Sequence, residues 1–251
     1  MNNRPIRKNI YRVVSDDFCP VKSRSMKRPI PRGLLVAIEG ISGAGKSAVA
    51  TLLGQWCRER GLGCTVSGEG LYPDRREHVE RCIAPALAEG DIVILDRYYW
   101  SSAAYRGSRG ADYNEIISAV ETFAPKPDLI LLLDVDVDVA LHRIRMSGGY
   151  LNLFEPEPSL LRARQIFLQL AEQNTNACVL DASGHLKATF EAALTALKLA
   201  ALNKVGSSGD LSSERVELTL KYFGGRQSTC AYESVMLEMD ALPHEAMRAS
   251  R

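Results

Sequence analysis

The chain predicts an α/β fold of three layers, with a mostly five-stranded parallel sheet covered by helices on both faces. Two observations predict it. From residue 34 to about residue 200, short apolar runs alternate with amphipathic helical segments. Directly after the first run stands Gly40-Ile41-Ser42-Gly43-Ala44-Gly45-Lys46-Ser47. It spells G-x-x-x-x-G-K-S between a strand and a helix, the context in which that spacing builds a phosphate-binding P-loop.

Each element has its own reason. Leu34–Ile38 is apolar without a break, as a strand buried on both faces must be, and Val49, Leu52, Leu53 and Trp56 then recur at helical spacing. A strand near Gly63–Ser67 precedes a helix showing Val79, Cys82, Ile83, Ala86 and Leu87 on one face. The strand Ile92–Leu95, a helical stretch to Phe123, the strand Leu129–Leu133 and a helix from about Val137 follow. A helix carrying Ala163, Ile166, Phe167 and Leu170, the strand Ala177–Leu180 and a last helix with Phe190, Leu194 and Leu197 complete a domain over residues 33–204.

The flanks differ from this body. Residues 1–32 hold nine lysines and arginines against Asp16 and Asp17, with four prolines and no periodicity, which predicts a disordered basic leader. The leader reads either as a solvated tail or as an arm for nucleic acid, and Met26 is an alternative start. In the appendage, residues 205–251, Val216, Leu218, Leu220 and Tyr222 alternate with polar residues, and Gly224-Gly225 offers a turn before Val235-Met236-Leu237. That pattern predicts a short C-terminal β-hairpin, packed on the body or on a second copy.

Composition narrows the partners. With 251 residues and a net charge of +1, the chain has no bulk attraction for nucleic acid or membrane. Its six cysteines lack C-x-x-C or zinc spacing and predict reduced thiols in a cytoplasmic protein. No apolar run reaches the roughly 18 residues a membrane helix requires.

The chemistry starts at the P-loop. Glycines Gly40, Gly43 and Gly45 let the backbone, with Ser42 and Ala44, curl around an anion. Lys46 reaches the outer phosphates of a nucleoside triphosphate, and the Ser47 hydroxyl suits Mg²⁺. Ligands of an open parallel sheet bind past the carboxyl ends of its strands, which singles out Asp96 at the end of Ile92–Leu95 as a carboxylate for Mg²⁺ or for the attacking oxygen. Arg97, next to it, is placed to grip an anion, although a capping Asp beside a surface Arg is the commoner meaning of such a pair. Arg143 and Arg145 approach Ser147-Gly148-Gly149 and read either as cations for the transferred phosphoryl group on a lid or as caps on the last turn of a helix.

The stretch Asp96-Arg97-Tyr98-Tyr99-Trp100-Ser101-Ser102-Ala103-Ala104-Tyr105-Arg106-Gly107 closely resembles the D-R-Y-x-x-S-x-x-A-Y-Q-G segment of thymidylate kinases, which belong to the P-loop nucleoside monophosphate kinases. The likeness continues through Asp74-Arg75-Arg76-Glu77-His78, Pro127-Asp128-Leu129, Ala140-Leu141-His142-Arg143 and Phe154-Glu155, and covers about residues 34–200. It implies a kinase that moves the γ-phosphate of ATP to a nucleoside monophosphate, dTMP by default, with Mg²⁺. Lys46 and Ser47 would serve ATP and the metal, and Asp96 the catalysis. Arg97 and Arg75 would hold the acceptor, while Ser101 and Tyr105 would line its site, with an ordinary core aromatic as the other meaning of Tyr105. Glu155 would act at the lid or simply be solvated. Family members commonly form homodimers.

The resemblance breaks in two places. Ser42 stands where the family usually has Asp. After the second strand, Glu69-Gly70-Leu71-Tyr72-Pro73 runs at once into Asp74-Arg75, where the family has an Arg-Glu-Pro segment and two helices that bring an aromatic ring over thymine. Glu69 and Tyr72 are then the candidates for the missing acid and ring. A shortened pocket admits another acceptor, including a base or nucleotide within DNA, and leaves open a catalytically silent nucleotide-binding relative.

Overall fold

The computed structural model describes residues 30, 32–68, 74–147 and 157–207. Within them, five parallel strands form one sheet in the order β2-β3-β1-β4-β5. They are β1 (Leu34–Glu39), β2 (Cys64–Gly68), β3 (Ile92–Asp96), β4 (Leu129–Asp134) and β5 (Ala177–Asp181). Each predicted strand is present and runs one residue further toward its carboxyl end. The reason is that the added residues, Glu39, Gly68, Asp96, Asp134 and Asp181, still pair through their backbones although they end the apolar runs.

Strand β1 lies at the centre and all six of its residues are buried, so its unbroken apolar run has both faces covered. Helices α1 (Lys46–Glu59) and α7 (Leu186–Ser207) pack together on one face, against β1 and its neighbours. Helices α3 (Tyr99–Gly107) and α6 (Glu157–Gln173) pack together on the other, with α4 (Tyr113–Glu121) against α3. Helix α5 (Val137–Met146) follows β4 and packs on α6. The predicted apolar stripes are inside: Val49, Leu52, Leu53 and Trp56 of α1, and Ala163, Ile166, Phe167 and Leu170 of α6, are buried.

Helix α2 departs from expectation. It comprises Arg75–His78, a π-turn at Val79–Ile83 and Ala84–Glu89. Pro85 has no N–H to give the preceding turn, and the widened turn still buries Val79, Cys82, Ile83 and Ala86. The stretch predicted to run on to Phe123 is two helices, α3 and α4, and Asp112 caps the second by accepting from the N–H groups of Asn114 and Glu115. Helix α7 continues to Ser207, past the boundary expected at residue 204, because Val205 is buried and Lys204 pairs with Asp128.

Cys57, Cys64, Cys82 and Cys178 are free thiols, the first and third of them buried. No helix among the described residues is long and apolar enough to cross a membrane. Residues 1–29 and 31 of the basic leader, the C-terminal hairpin, Cys19, Cys230, Glu69, Tyr72 and Glu155 lie outside the described residues. Ile30, by contrast, at the end of the expected disordered leader, is buried in the core because its apolar side chain packs there.

Candidate active site

The P-loop has the geometry its glycines predict. Gly40 and Gly43 take φ of 136° and 85°, and a Cβ there would sit 2.5 Å from the carbonyl oxygens of Leu133 and Ala140 respectively. Only glycine lets the loop lie this close to β4 and α5. Gly45 starts α1 in the left-handed conformation and caps it with no side chain, which leaves the first N–H groups of the helix for an anion. Lys46 is 4% exposed and donates to the carbonyl of Ile41 at 2.7 Å, folded along the loop it serves.

Asp96 stands beside this loop because the register of the sheet sets it level with Ile38 of β1 and Gly68 of β2. The Ser47 hydroxyl donates to its Oδ2 at 2.5 Å. Its Oδ1 is buried without a hydrogen-bond partner among the described residues. A hydroxyl and an unsatisfied carboxylate oxygen side by side fit Mg²⁺, a hard cation usually held by one or two carboxylates together with phosphates and water. No group of three or more His, Cys, Asp and Glu residues able to cage a metal occurs among the described residues.

Arg97 is the second cation. Its Nη2 donates to Ser42 Oγ at 3.1 Å and its guanidinium lies 5.6 Å from the centre of the Tyr105 ring. Desolvation works against its charge, but Tyr105, Asp96 and Glu39 outweigh it and hold its pKa above the usual arginine value. The Tyr105 hydroxyl accepts the Ser42 N–H at 2.8 Å and pairs with Ser42 Oγ at 3.1 Å. The Tyr105 ring meets Phe167 edge-on at 6.4 Å, so the ring packs on the core while its hydroxyl reaches the loop. Where the family usually has an acid, the uncharged Ser42 hydroxyl joins the arginine and the tyrosine by hydrogen bonds.

Arg97 has φ of 71°, a left-handed conformation that costs a non-glycine residue about 1–2 kcal/mol. Its N–H donates to the Ile38 carbonyl at 3.0 Å. The next N–H, that of Tyr98, donates to Oε1 of Glu39 at 3.0 Å. The bond to the Glu39 carboxylate contributes about 1.5–3 kcal/mol and the one to the Ile38 carbonyl about 0.5–1.5 kcal/mol, which together match or exceed the strain.

Glu39 is a residue sequence reasoning missed. The signal was available: an acid ends a run that is otherwise apolar, directly before Gly40.

Two predicted acceptor residues are placed differently. Ser101 is 1% exposed and its hydroxyl donates to Glu39 Oε2 at 2.5 Å, so it stands behind the wall of the site. Its neighbour Ser102 faces out and accepts from Arg75 Nη2 at 2.6 Å. Arg75 belongs to α2 and does not line the cavity beside Lys46, whereas Arg97 does. Close to Arg75, His78 Nε2 lies 2.8 Å from Ser67 Oγ. Burial first, and then the Arg75 charge, push the His78 pKa down to about 4.

The cavity has a volume of about 770 Å³ and runs from the P-loop, Asp96 and Arg97 to a wall made by α5 and residues 182–189. Arg143 is part of that wall. Its guanidinium donates to the carbonyls of Ala182 at 2.7 Å, Ser183 at 2.9 Å and Gly184 at 3.1 Å, joining α5 to the loop after β5. Arg145 is exposed on the last turn of α5, outside the cavity. Arg164, also missed, clamps both carboxylate oxygens of Asp134 at 2.7 and 2.9 Å and reaches Asp136 at 2.5 Å, tying α6 to the end of β4.

The family model described as thymidylate kinase matches residues 71–193. A thymidylate kinase of Xanthomonas campestris pv. campestris is 40% identical over 195 residues, which cover 66% of this chain and 86% of the relative. One of Xylella fastidiosa is 37% identical over 213 residues, 74% of this chain and 97% of the relative. In the first alignment, 66% of 251 residues is about 166, so about 29 of the 195 positions have no counterpart here. With identity of this order over nearly the whole length of these relatives, the chain belongs to the thymidylate kinase family.

Proposed function

We propose that this chain transfers the γ-phosphoryl group of ATP to dTMP, giving dTDP and ADP. The observation that carries the reading is the Ser47–Asp96 pair with its unsatisfied oxygen, set between the amide cradle of the P-loop and Arg97 in one cavity. A phosphate oxygen of the acceptor attacks the γ-phosphorus, and the bond to the β,γ-bridging oxygen breaks as ADP leaves. Charge spreads over the γ-oxygens meanwhile, so positioning and cations supply most of the catalysis. The P-loop amides and Lys46 hold the triphosphate, Arg97 the acceptor phosphate, and Arg75, seated on Ser102, acts further along the acceptor. Mg²⁺, held by Ser47 and Asp96, would offset the charge of the β- and γ-phosphates. Arg143 shapes the opposite wall, where the nucleoside of ATP fits.

The test is incubation of the purified full-length chain with ATP, Mg²⁺ and dTMP, with separation of the nucleotides. Formation of dTDP that disappears in Lys46→Ala supports the reading. No dTDP above the level of that variant overturns it.

A second reading, in which the acceptor is a different or bulkier nucleotide, draws on one specific observation. In the chain, six residues, 69–74, separate the end of β2, whose Gly68 pairs with Asp96, from α2, and about 29 positions of a relative have no counterpart in this chain. Turnover with a panel of nucleoside monophosphates and an oligonucleotide separates the two readings, and strict selectivity for dTMP eliminates the second. The reduced thiols agree with a cytoplasmic location.

A further inference from the structure

We propose that Glu39 is a positioning residue for the Asp96–Arg97 site. Its carboxylate, 1% exposed, accepts the Tyr98 N–H at 3.0 Å, the Ser101 N–H at 3.3 Å and the Ser101 hydroxyl at 2.5 Å. Helix α3 has no side-chain cap at Tyr98, and Glu39 supplies the cap from a strand about 60 residues earlier in the chain. Arg97 is thereby pinned on both sides, by the Ile38 carbonyl at its own N–H and by Glu39 at the next one. A left-handed arginine persists only where its surroundings over-determine it, and these two consecutive residues of β1 do so. The next residue, Gly40, opens the P-loop, so the triphosphate cradle and the guanidinium facing it are set from one stretch of backbone.

Without this carboxylate, two buried N–H groups lose their acceptor and the start of α3 shifts. Arg97 then relaxes out of the left-handed region and its guanidinium leaves Ser42 and Tyr105. The role rests on the reading of Arg97 as the clamp for the acceptor phosphate.

The experiment is a double-mutant cycle in the full chain on kcat/KM for dTMP, with the KM for ATP and the thermal midpoint measured alongside. Glu39→Ala is expected to lower kcat/KM about 10²-fold, as misplacement by an ångström does, with the ATP KM unchanged. In an Arg97→Ala background the same change is expected to cost less than about threefold, because the group it positions has gone. Glu39→Gln, which keeps an oxygen for the two amides, stays within about tenfold of the parent on the same logic. If Glu39→Ala does not fold, Glu39→Asp takes its place, since it keeps the charge and withdraws it by one methylene.

Effects of Glu39 and Arg97 that multiply would overturn this inference alone and leave the clamp intact. An Arg97→Ala enzyme with unchanged dTMP kinetics would overturn the clamp and this inference with it.

Discussion

The Ser47 hydroxyl and the Asp96 carboxylate share a 2.5 Å hydrogen bond that joins the first turn of α1 to the end of β3, and the second carboxylate oxygen is left buried without a partner among the described residues. Such an orphan costs about 1–3 kcal/mol in the folded protein and marks a group kept for function. Asp96→Ala is therefore expected to lower turnover by about 10²–10³-fold while leaving the thermal midpoint level or raised. Steady-state kinetics and a thermal melt check both halves. A large loss of stability would show that the carboxylate is structural.

Lys46 is buried along the loop and returns one hydrogen bond to Ile41. Its removal takes away a cation aimed at the triphosphate, and Lys46→Ala is expected to lower kcat by about 10²–10³-fold with the fold intact. Circular dichroism and a turnover assay decide it, and retained turnover contradicts the role.

Arg143 donates to three carbonyls of residues 182–184, in the cavity wall opposite the P-loop. Arg143→Ala is expected to raise the KM for ATP about tenfold, the worth of about 1.4 kcal/mol, and to change kcat less. If kcat falls while the KM for ATP holds, Arg143 instead serves the transferred phosphoryl group.

His78 gives a pH dependence of stability. Burial and Arg75 place its folded pKa at about 4, below the ordinary 6.5, so the unfolded chain binds a proton at pH values where the native one does not. The contribution is full above about pH 6.5 and is lost as pH falls toward 4, on the order of 2–3 kcal/mol in all. Urea midpoints measured between pH 7 and pH 4 should decline for the parent and flatten for His78→Gln. Equal slopes in the two proteins would remove His78 as the cause.

The five strands and the loop after the first of them were legible because their signals are local. An unbroken apolar run followed by glycines at fixed spacing needs no distant contact to be read. Asp96 and Arg97 were legible for a related reason, since a charge that ends a buried parallel strand must emerge at the ligand-binding edge. Ser101 and Ser102 were not. Consecutive helical residues point in directions about 100° apart, and only the packing of α3 over β1 turns the first toward Glu39 and the second toward Arg75.

By itself, then, the chain determined the class of the fold, the phosphate cradle and the family to which the segment after β3 is similar. Tertiary structure alone decided which cation faces which end of the cavity, and that Arg97 is held in a left-handed conformation by a carboxylate from β1. The physical reason is distance along the chain. Glu39 and Ser101 are 62 residues apart, and Arg143 and Gly184 are 41, so each contact depends on how strands stack side by side, which no local pattern of side chains encodes.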